Sequence, residues 1–438
     1  VIAAPRSGSG KTILTLGLMR AFRKAGLRVG GAKCGPDYID PAFHAAATGE
    51  RSVNLDSWAM DAGLLRGLAA AAGSGCDLVL CEGSMGLFDG VPAAQGRTGA
   101  SADIAVALGW PVVLVLDVSG QAQSAAAIVT GCARYDPRLA IAGVVLNRVA
   151  SPRHQRLVVD AIAQQAVPVL GALPREADMV LAERHLGLVQ AGEIADLDAR
   201  LDKVGAFVAA HVDLPRVLAS ARRGNGIPAE VEPALPPPAQ RIAVARDDAF
   251  SFLYPHILMG WHAAGAEVVF FSPLADAPPP SDCDLCWLPG GYPELHAGRL
   301  ADATRFMEGV RAFARVKPVH GECGGYMVLG QSLTARDGTV HRMAGLLGPS
   351  FSFARRKLHL GYRDACLAAD HSLGPAGRGL RGHEFHYATT EEDSAKDPPF
   401  ALVRDAYGET REPAGSRRGL VTGSFFHVIA ARPAGEPA

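Results

Sequence analysis

Strand-length apolar runs alternate with helical stretches through the first half of the chain. The runs are Val1–Ala4, Val29–Lys33, Leu78–Cys81, Val112–Leu116, Ile141–Leu146 and Val169–Ala172. Between them apolar positions return at helical spacing, most clearly over Thr12–Ala25. This rhythm predicts a parallel sheet covered by helices. It breaks over 224–240, where Pro228, Pro233, Pro236, Pro237 and Pro238 predict a linker. A second alternating section follows, with strands Arg241–Ala245, Glu267–Phe271 and Leu285–Pro289 and helices near Pro255–Ala264 and Ala301–Ala314. It ends in a strand leading to Cys323. The pattern predicts two α/β domains, 1–223 and 241–438, joined by 224–240.

With 438 residues, two to three domains are expected, and 48% hydrophobic content supplies their cores. The formal net charge of −1 gives no reason to expect nucleic acid. The apolar runs are strand-length, not membrane-length. No secretory signal is visible, and because the chain opens inside a strand a start further upstream is expected. The eight cysteines form no dense framework and read as reduced thiols of a cytoplasmic protein. Cys283 and Cys286 form a lone CxxC inside an apolar strand, which reads as packing, since no second pair completes a zinc site.

The first candidate chemistry is Gly8-Ser9-Gly10-Lys11-Thr12, between a strand and an apolar helix. Backbone amides of such a turn, and the helix N-terminus behind it, hold phosphate. Lys11 is placed to reach the outer phosphates and the Thr12 hydroxyl to ligate magnesium. The usual glycine five residues before Gly10 is Pro5 here, so the motif rests on its strand-and-helix setting. Carboxylates cluster at neighbouring strand ends: Asp37 and Asp40 after Val29–Lys33, Glu82 after Leu78–Cys81, and Asp89 beyond it. Each alone reads equally as a solvated loop residue; together beside a phosphate loop they point to a site. Asn147 reads either as a contact to a base edge or as an ordinary turn residue.

The second candidate lies at His320-Gly321-Glu322-Cys323-Gly324-Gly325. A cysteine between small residues at a strand-to-helix turn predicts an exposed nucleophile with a lowered thiol pKa. Gly290 and Gly291 end another strand, where bare amides suit an oxyanion hole. His427 is the chosen general base among fourteen histidines.

These segments, with Lys33-Cys34-Gly35-Pro36-Asp37-Tyr38-Ile39-Asp40-Pro41, Glu82-Gly83-Ser84-Met85-Gly86-Leu87-Phe88-Asp89-Gly90, Gly382-His383-Glu384-Phe385-His386-Tyr387 and Gly423-Ser424-Phe425-Phe426-His427, resemble the cobyrinic acid a,c-diamide synthase family of corrinoid biosynthesis. The likeness covers nearly the whole chain. It implies a first half similar to dethiobiotin synthetase and a second half that is a class I glutaminase. It also implies a reaction in which ATP phosphorylates the a and c acetates of hydrogenobyrinic or cobyrinic acid, and ammonia from L-glutamine, freed at Cys323, displaces phosphate. The resemblance assigns Asp37, Tyr38, Asp40, Glu82 and Asp89 to the substrate and phosphoryl-transfer surroundings, with Thr12, Asp37 and Glu82 on Mg2+ and Asn147 near adenine. His383, Glu384 and His386 are either corrin contacts or supports of the glutaminase. Class I glutaminases usually carry Glu two residues after the catalytic histidine; Ile429 stands there, so the group orienting His427 is open. A homodimer, the substrate's metal content and the order of the amidations are also open.

Rivals of the same chemistry are a nickel-sirohydrochlorin a,c-diamide synthase and a cobyric acid synthase. A rival of another class is an ATP-driven switch protein with an inert cysteine domain. The intact Gly321-Glu322-Cys323-Gly324-Gly325 segment and Gly290-Gly291 argue against the last.

Overall fold

The computed structural model describes residues 1–176, 183–184, 187–222, 232–391, 393, 395–408 and 410–433. The chain divides into two compact units, Val1–Val231 and Glu232–Ala438.

In the first unit, seven parallel strands run in the order β3-β2-β4-β1-β5-β6-β7. They are β1 Ile2–Ala3, β2 Val29–Cys34, β3 Ser52–Leu55, β4 Leu78–Glu82, β5 Val112–Asp117, β6 Ile141–Val149 and β7 Val169–Pro174. Helices α1 (Lys11–Lys24) and α2 (Asp40–Thr48) are among those that cover the sheet. Every residue of β5 is buried, as a central parallel strand covered on both faces requires. Most strands run slightly beyond their apolar runs. Glu82 is therefore the last residue of β4, and Asn147 lies inside β6. The register matters for chemistry: Glu82 sits opposite Ile2 on one side and Lys33 on the other. The strand ends that carry the motifs thus lie side by side.

The second unit holds a six-stranded sheet in the order Glu267–Phe271, Arg241–Ala245, Leu285–Leu288, Val319–Glu322, Val421–Ser424, Ser416–Arg418. It is parallel except for its last pair. A separate antiparallel sheet of five strands contains His359–Leu367, Gly379–His386 and His427–Ala431. The helix expected over Ala301–Ala314 is two helices, Ala297–Asp302 and Thr304–Ala314. Asp276 explains the start of the second: its Oδ1 accepts the Phe306 N–H at 2.8 Å, satisfying a first-turn donor.

Of the proline-rich stretch 224–240, residues 224–231 lie outside the described residues. The remainder packs on the second unit and is not a free linker. Leu235 is buried and its carbonyl accepts the Trp261 indole N–H at 3.1 Å, while the Ala234 carbonyl accepts the Ala431 N–H at 2.6 Å. Among the described residues, no helix is long and apolar enough to cross a membrane.

Candidate functional site

The phosphate loop joins β1 to α1 through two residues with positive φ, Gly8 at 72° and Gly10 at 95°. Gly10 has a second reason to lack a side chain, because a Cβ there would strike the Asn147 amide. That amide instead donates to the Ser9 carbonyl at 2.8 Å. Lys11 Nζ reaches across the loop mouth to the Met85 carbonyl at 2.6 Å, and Thr12 Oγ1 donates to Glu82 Oε1 at 2.6 Å. Burial, and then the neighbouring Lys33, lower the Lys11 pKa.

Around Glu82 a buried charged cluster forms. His44 Nε2 lies 2.8 Å from Glu82 Oε2, and Lys33 Nζ lies 3.4 Å from Oε1 and 2.7 Å from Asp40 Oδ2. Burial opposes the charge on Glu82. The Lys33 ammonium and the hydrogen bonds from His44 and Thr12 overcome it and bring the pKa down to about 2. Burial likewise opposes the charge on Lys33, yet Asp40, Glu82 and Asp37 hold its pKa well above the usual lysine value. Asp37 caps the turn into α2: its Oδ1 accepts the N–H groups of Ile39 and Asp40 at 2.8 and 3.0 Å. Tyr38 is half-buried beside it. Asp89 is exposed, with Oδ2 accepting the Gly86 N–H at 2.9 Å. Sequence reasoning missed Lys33 and His44 as members of this site. Lys33 lies within a quoted motif, but only the strand register shows that it faces Glu82. His44 gives no signal in the sequence.

In the second unit, Cys323 follows strand Val319–Glu322 and precedes a short helix, Gly324–Leu329. Its φ of 45° is unusual for a non-glycine residue and marks a strained turn. Contrary to expectation, the thiol is buried, at 2% exposure. Burial, and then the charge of Glu294, push its pKa up, the opposite of the predicted shift. The glycines expected to expose the cysteine have the reverse effect. A Cβ on Gly325 would collide with the Leu288 carbonyl, so its absence lets the turn pack down against the neighbouring strand.

His427 opens strand His427–Ala431 directly opposite His383, with ring centroids 5.7 Å apart. Gly290 leaves space for the His427 ring, which a Cβ there would strike, and the Gly291 amide lies beside Gly324. His427 is wholly buried; burial first, then His383 and His386, lower its pKa well below the usual histidine value. His386 stacks on Phe425 at 3.7 Å, and Glu384 pairs with Arg363 at 2.9 Å. The structure thus brings His383 beside His427, the histidine expected to act as base. Glu322 is a further residue that sequence reasoning did not single out. Its Oε2 lies 3.9 Å from His427 Nδ1.

Residues 1–188 match the CobQ/CobB/MinD/ParA nucleotide binding domain family, and residues 241–435 the CobB/CobQ-like glutamine amidotransferase domain family. Curated relatives include the hydrogenobyrinate a,c-diamide synthases of Rhodobacter capsulatus (58% identical), Mesorhizobium japonicum (55%) and Agrobacterium fabrum (54%). In each case the alignment covers 98% of this chain and 98% of the relative. The chain belongs to the hydrogenobyrinate a,c-diamide synthase family. Membership establishes an ATP-dependent ligase with a glutamine amidotransferase domain, and both families of domain fall on the units described above.

Proposed function

We propose that this protein converts the a and c acetate carboxylates of hydrogenobyrinic acid to amides, using ATP and L-glutamine, in cobalamin biosynthesis. The observation that carries the reading is identity above 50% to hydrogenobyrinate a,c-diamide synthases over 98% of both chains, which spans both units. The phosphate loop holds the triphosphate through the amides of Gly8–Thr12, with Lys11 turned from Met85 to the outer phosphates and Asn147 beside the base. Thr12 and Glu82 offer hard oxygen donors. Among the described residues no group of three His, Cys, Asp or Glu side chains could hold a metal alone. That donor set suits magnesium, which shares its ligands with phosphates and water. Thr12 and Glu82, with Asp37 nearby, would hold magnesium, whose positive charge would offset that of the transferring phosphoryl group. Asp40, Asp89 and Tyr38 surround the acetate. Lys33 favours the ionised form of Glu82, whereas burial, and then Asp37, raise the Asp40 pKa well above the usual carboxylate value despite Lys33.

In the second unit, Cys323 is the nucleophile toward glutamine, His427 its base, and the Gly290 and Gly291 amides the oxyanion donors. His383 and His386 support His427, and Glu384 is fixed by Arg363. The eight unpaired cysteines fit a cytoplasmic protein.

The test is mass spectrometry of the acid incubated with protein, ATP, magnesium and glutamine. Two carboxyl-to-amide conversions are expected; none, from protein that still hydrolyses ATP, overturns the reading. Cys323→Ala abolishes glutamine-dependent amidation but keeps amidation from added ammonia. Lys11→Ala loses both, and retained amidation there removes the phosphate-loop assignment.

A further inference from the structure

In the glutaminase assigned above, Cys323 and His427 have no carboxylate partner at the position after the histidine where one is usual. Ile429 there is a fully buried aliphatic. A carboxylate comes instead from the other sheet. Glu322 is the last residue of strand Val319–Glu322, immediately before the nucleophile. Its Oε1 accepts the Val428 N–H at 2.9 Å, which anchors the carboxyl group at the start of strand His427–Ala431. The second oxygen, Oε2, then lies 3.9 Å from His427 Nδ1, with the two side chains 6% and 0% exposed.

We propose that Glu322 is the positioning residue for His427: it holds the Nδ1–H, turns Nε2 toward Cys323 and stabilises the imidazolium formed during glutamine hydrolysis. The proposal rests on the glutaminase reading of Cys323 and His427. In the step, the Cys323 S–H bond breaks and its proton passes to His427 Nε2, while the sulfur pair forms a bond to the glutamine amide carbon. When the C–N bond breaks, the leaving nitrogen takes the proton from Nε2 and departs as ammonia. Water then hydrolyses the thioester to glutamate. In its carboxylate form Glu322 transfers no proton; it accepts the Nδ1–H, so that Nε2 is the basic atom. A separation of 3.9 Å is longer than a hydrogen bond, and such contacts commonly tighten once substrate is bound.

Burial sets the pH range in which this role operates. Burial holds the Glu322 carboxyl up at about 8 against the Val428 N–H, and burial holds His427 well below its usual value. The carboxylate that accepts the Nδ1–H is therefore favoured toward alkaline pH. An imidazolium formed at His427 would be stabilised by that carboxylate. The other titratable groups acting here are His383 and His386 on His427, and Glu294 and Glu384 on Cys323.

Glu322→Gln separates charge from scaffold, because an amide oxygen still accepts the Val428 N–H. In the full-length enzyme, this variant is expected to lower kcat for glutamine hydrolysis by roughly 10²- to 10⁴-fold with KM little changed. Iodoacetamide alkylation of Cys323 shifts to higher pH, and Glu322→Asp recovers part of both. Ammonia-dependent amidation in the same sample reports folding. A Gln variant with near-wild-type kcat and an unshifted alkylation profile overturns the proposal; if Cys323→Ala has meanwhile lost glutamine-dependent amidation, the glutaminase reading stands without it. If Cys323→Ala retains that activity, the reading and the proposal fall together. Should Glu322→Gln fail to fold, ¹⁵N-histidine NMR of the wild-type protein above pH 8 decides: a proton on His427 Nδ1 supports the proposal, and one on Nε2 alone overturns it.

Discussion

Lys33 is the buried cation paired with Asp40 and Glu82 in the ligase unit. It is 4% exposed, lies between Asp40 and Glu82, and donates to the Gly83 carbonyl at 3.3 Å. Removing one partner of a buried charge pair leaves the other uncompensated, at a cost of about 3–5 kcal/mol. Lys33→Met is therefore expected to lower unfolding stability by that order in urea titrations. The same variant loses amidation from glutamine and from ammonia alike, since the defect lies upstream of the nitrogen source. Wild-type stability in the Met variant would show that the cluster does not need its cation.

At the scale of elements, Asp37 has two separable roles. Its Oδ1 caps the turn into α2 through the Ile39 and Asp40 N–H groups, and its charge faces the site. Asp37→Ala loses both, with about 1 kcal/mol from the lost cap. Asp37→Asn keeps an acceptor oxygen and so keeps nearly wild-type thermal stability, while its amidation rate falls. Equal thermal losses in the two variants would contradict this division. The elements also show what the sequence could disclose. Parallel strands buried on both faces are written as local apolar runs, and β2, β4 and β5 are legible because each carries its own signal. The antiparallel sheet of the second unit is not, because its strands are half polar and its pairings long-range. His383 meets His427 only through the register of two strands far apart in the chain. Glu322 is adjacent to Cys323 in sequence, yet its reach to His427 depends on the Phe425-Phe426 passage from one sheet to the other. The motif glycines were legible as crowding, but their effect on Cys323 was not: crowding around a turn can bury a side chain as well as expose it.

For the molecule as a whole, the two units should respond differently to acid. The second unit keeps His256, His320, His383, His386 and His427 buried and uncharged. Burial is the leading cause of each depression, to about 4 for His256, about 3 for His320, His383 and His386, and well below the usual value for His427. A histidine whose folded pKa lies below its unfolded 6.5 contributes stability above pH 6.5 and loses it as pH falls through the folded value. pH 5 lies about 1.5 units below the unfolded value, so a histidine whose folded value is below 5 loses on the order of 2 kcal/mol there. All five losses share one sign and fall in one unit, so they weaken it together as pH drops below 6.5. Glu322 acts in the opposite sense: its folded pKa of about 8 lies above the unfolded value, so acidification from 8 toward 4.5 favours the folded state. One such group does not offset five histidines. In the first unit, Glu82 is depressed to about 2, so its contribution is present above 4.5 and disappears only as pH falls from there toward 2. Hydrogen exchange read peptide by peptide from pH 7 to pH 4 should show Glu232–Ala438 losing protection first, and glutamine hydrolysis failing before ammonia-dependent amidation. Simultaneous loss in both units, or earlier loss in Val1–Val231, would mean that the buried histidines do not set the acid limit of this enzyme.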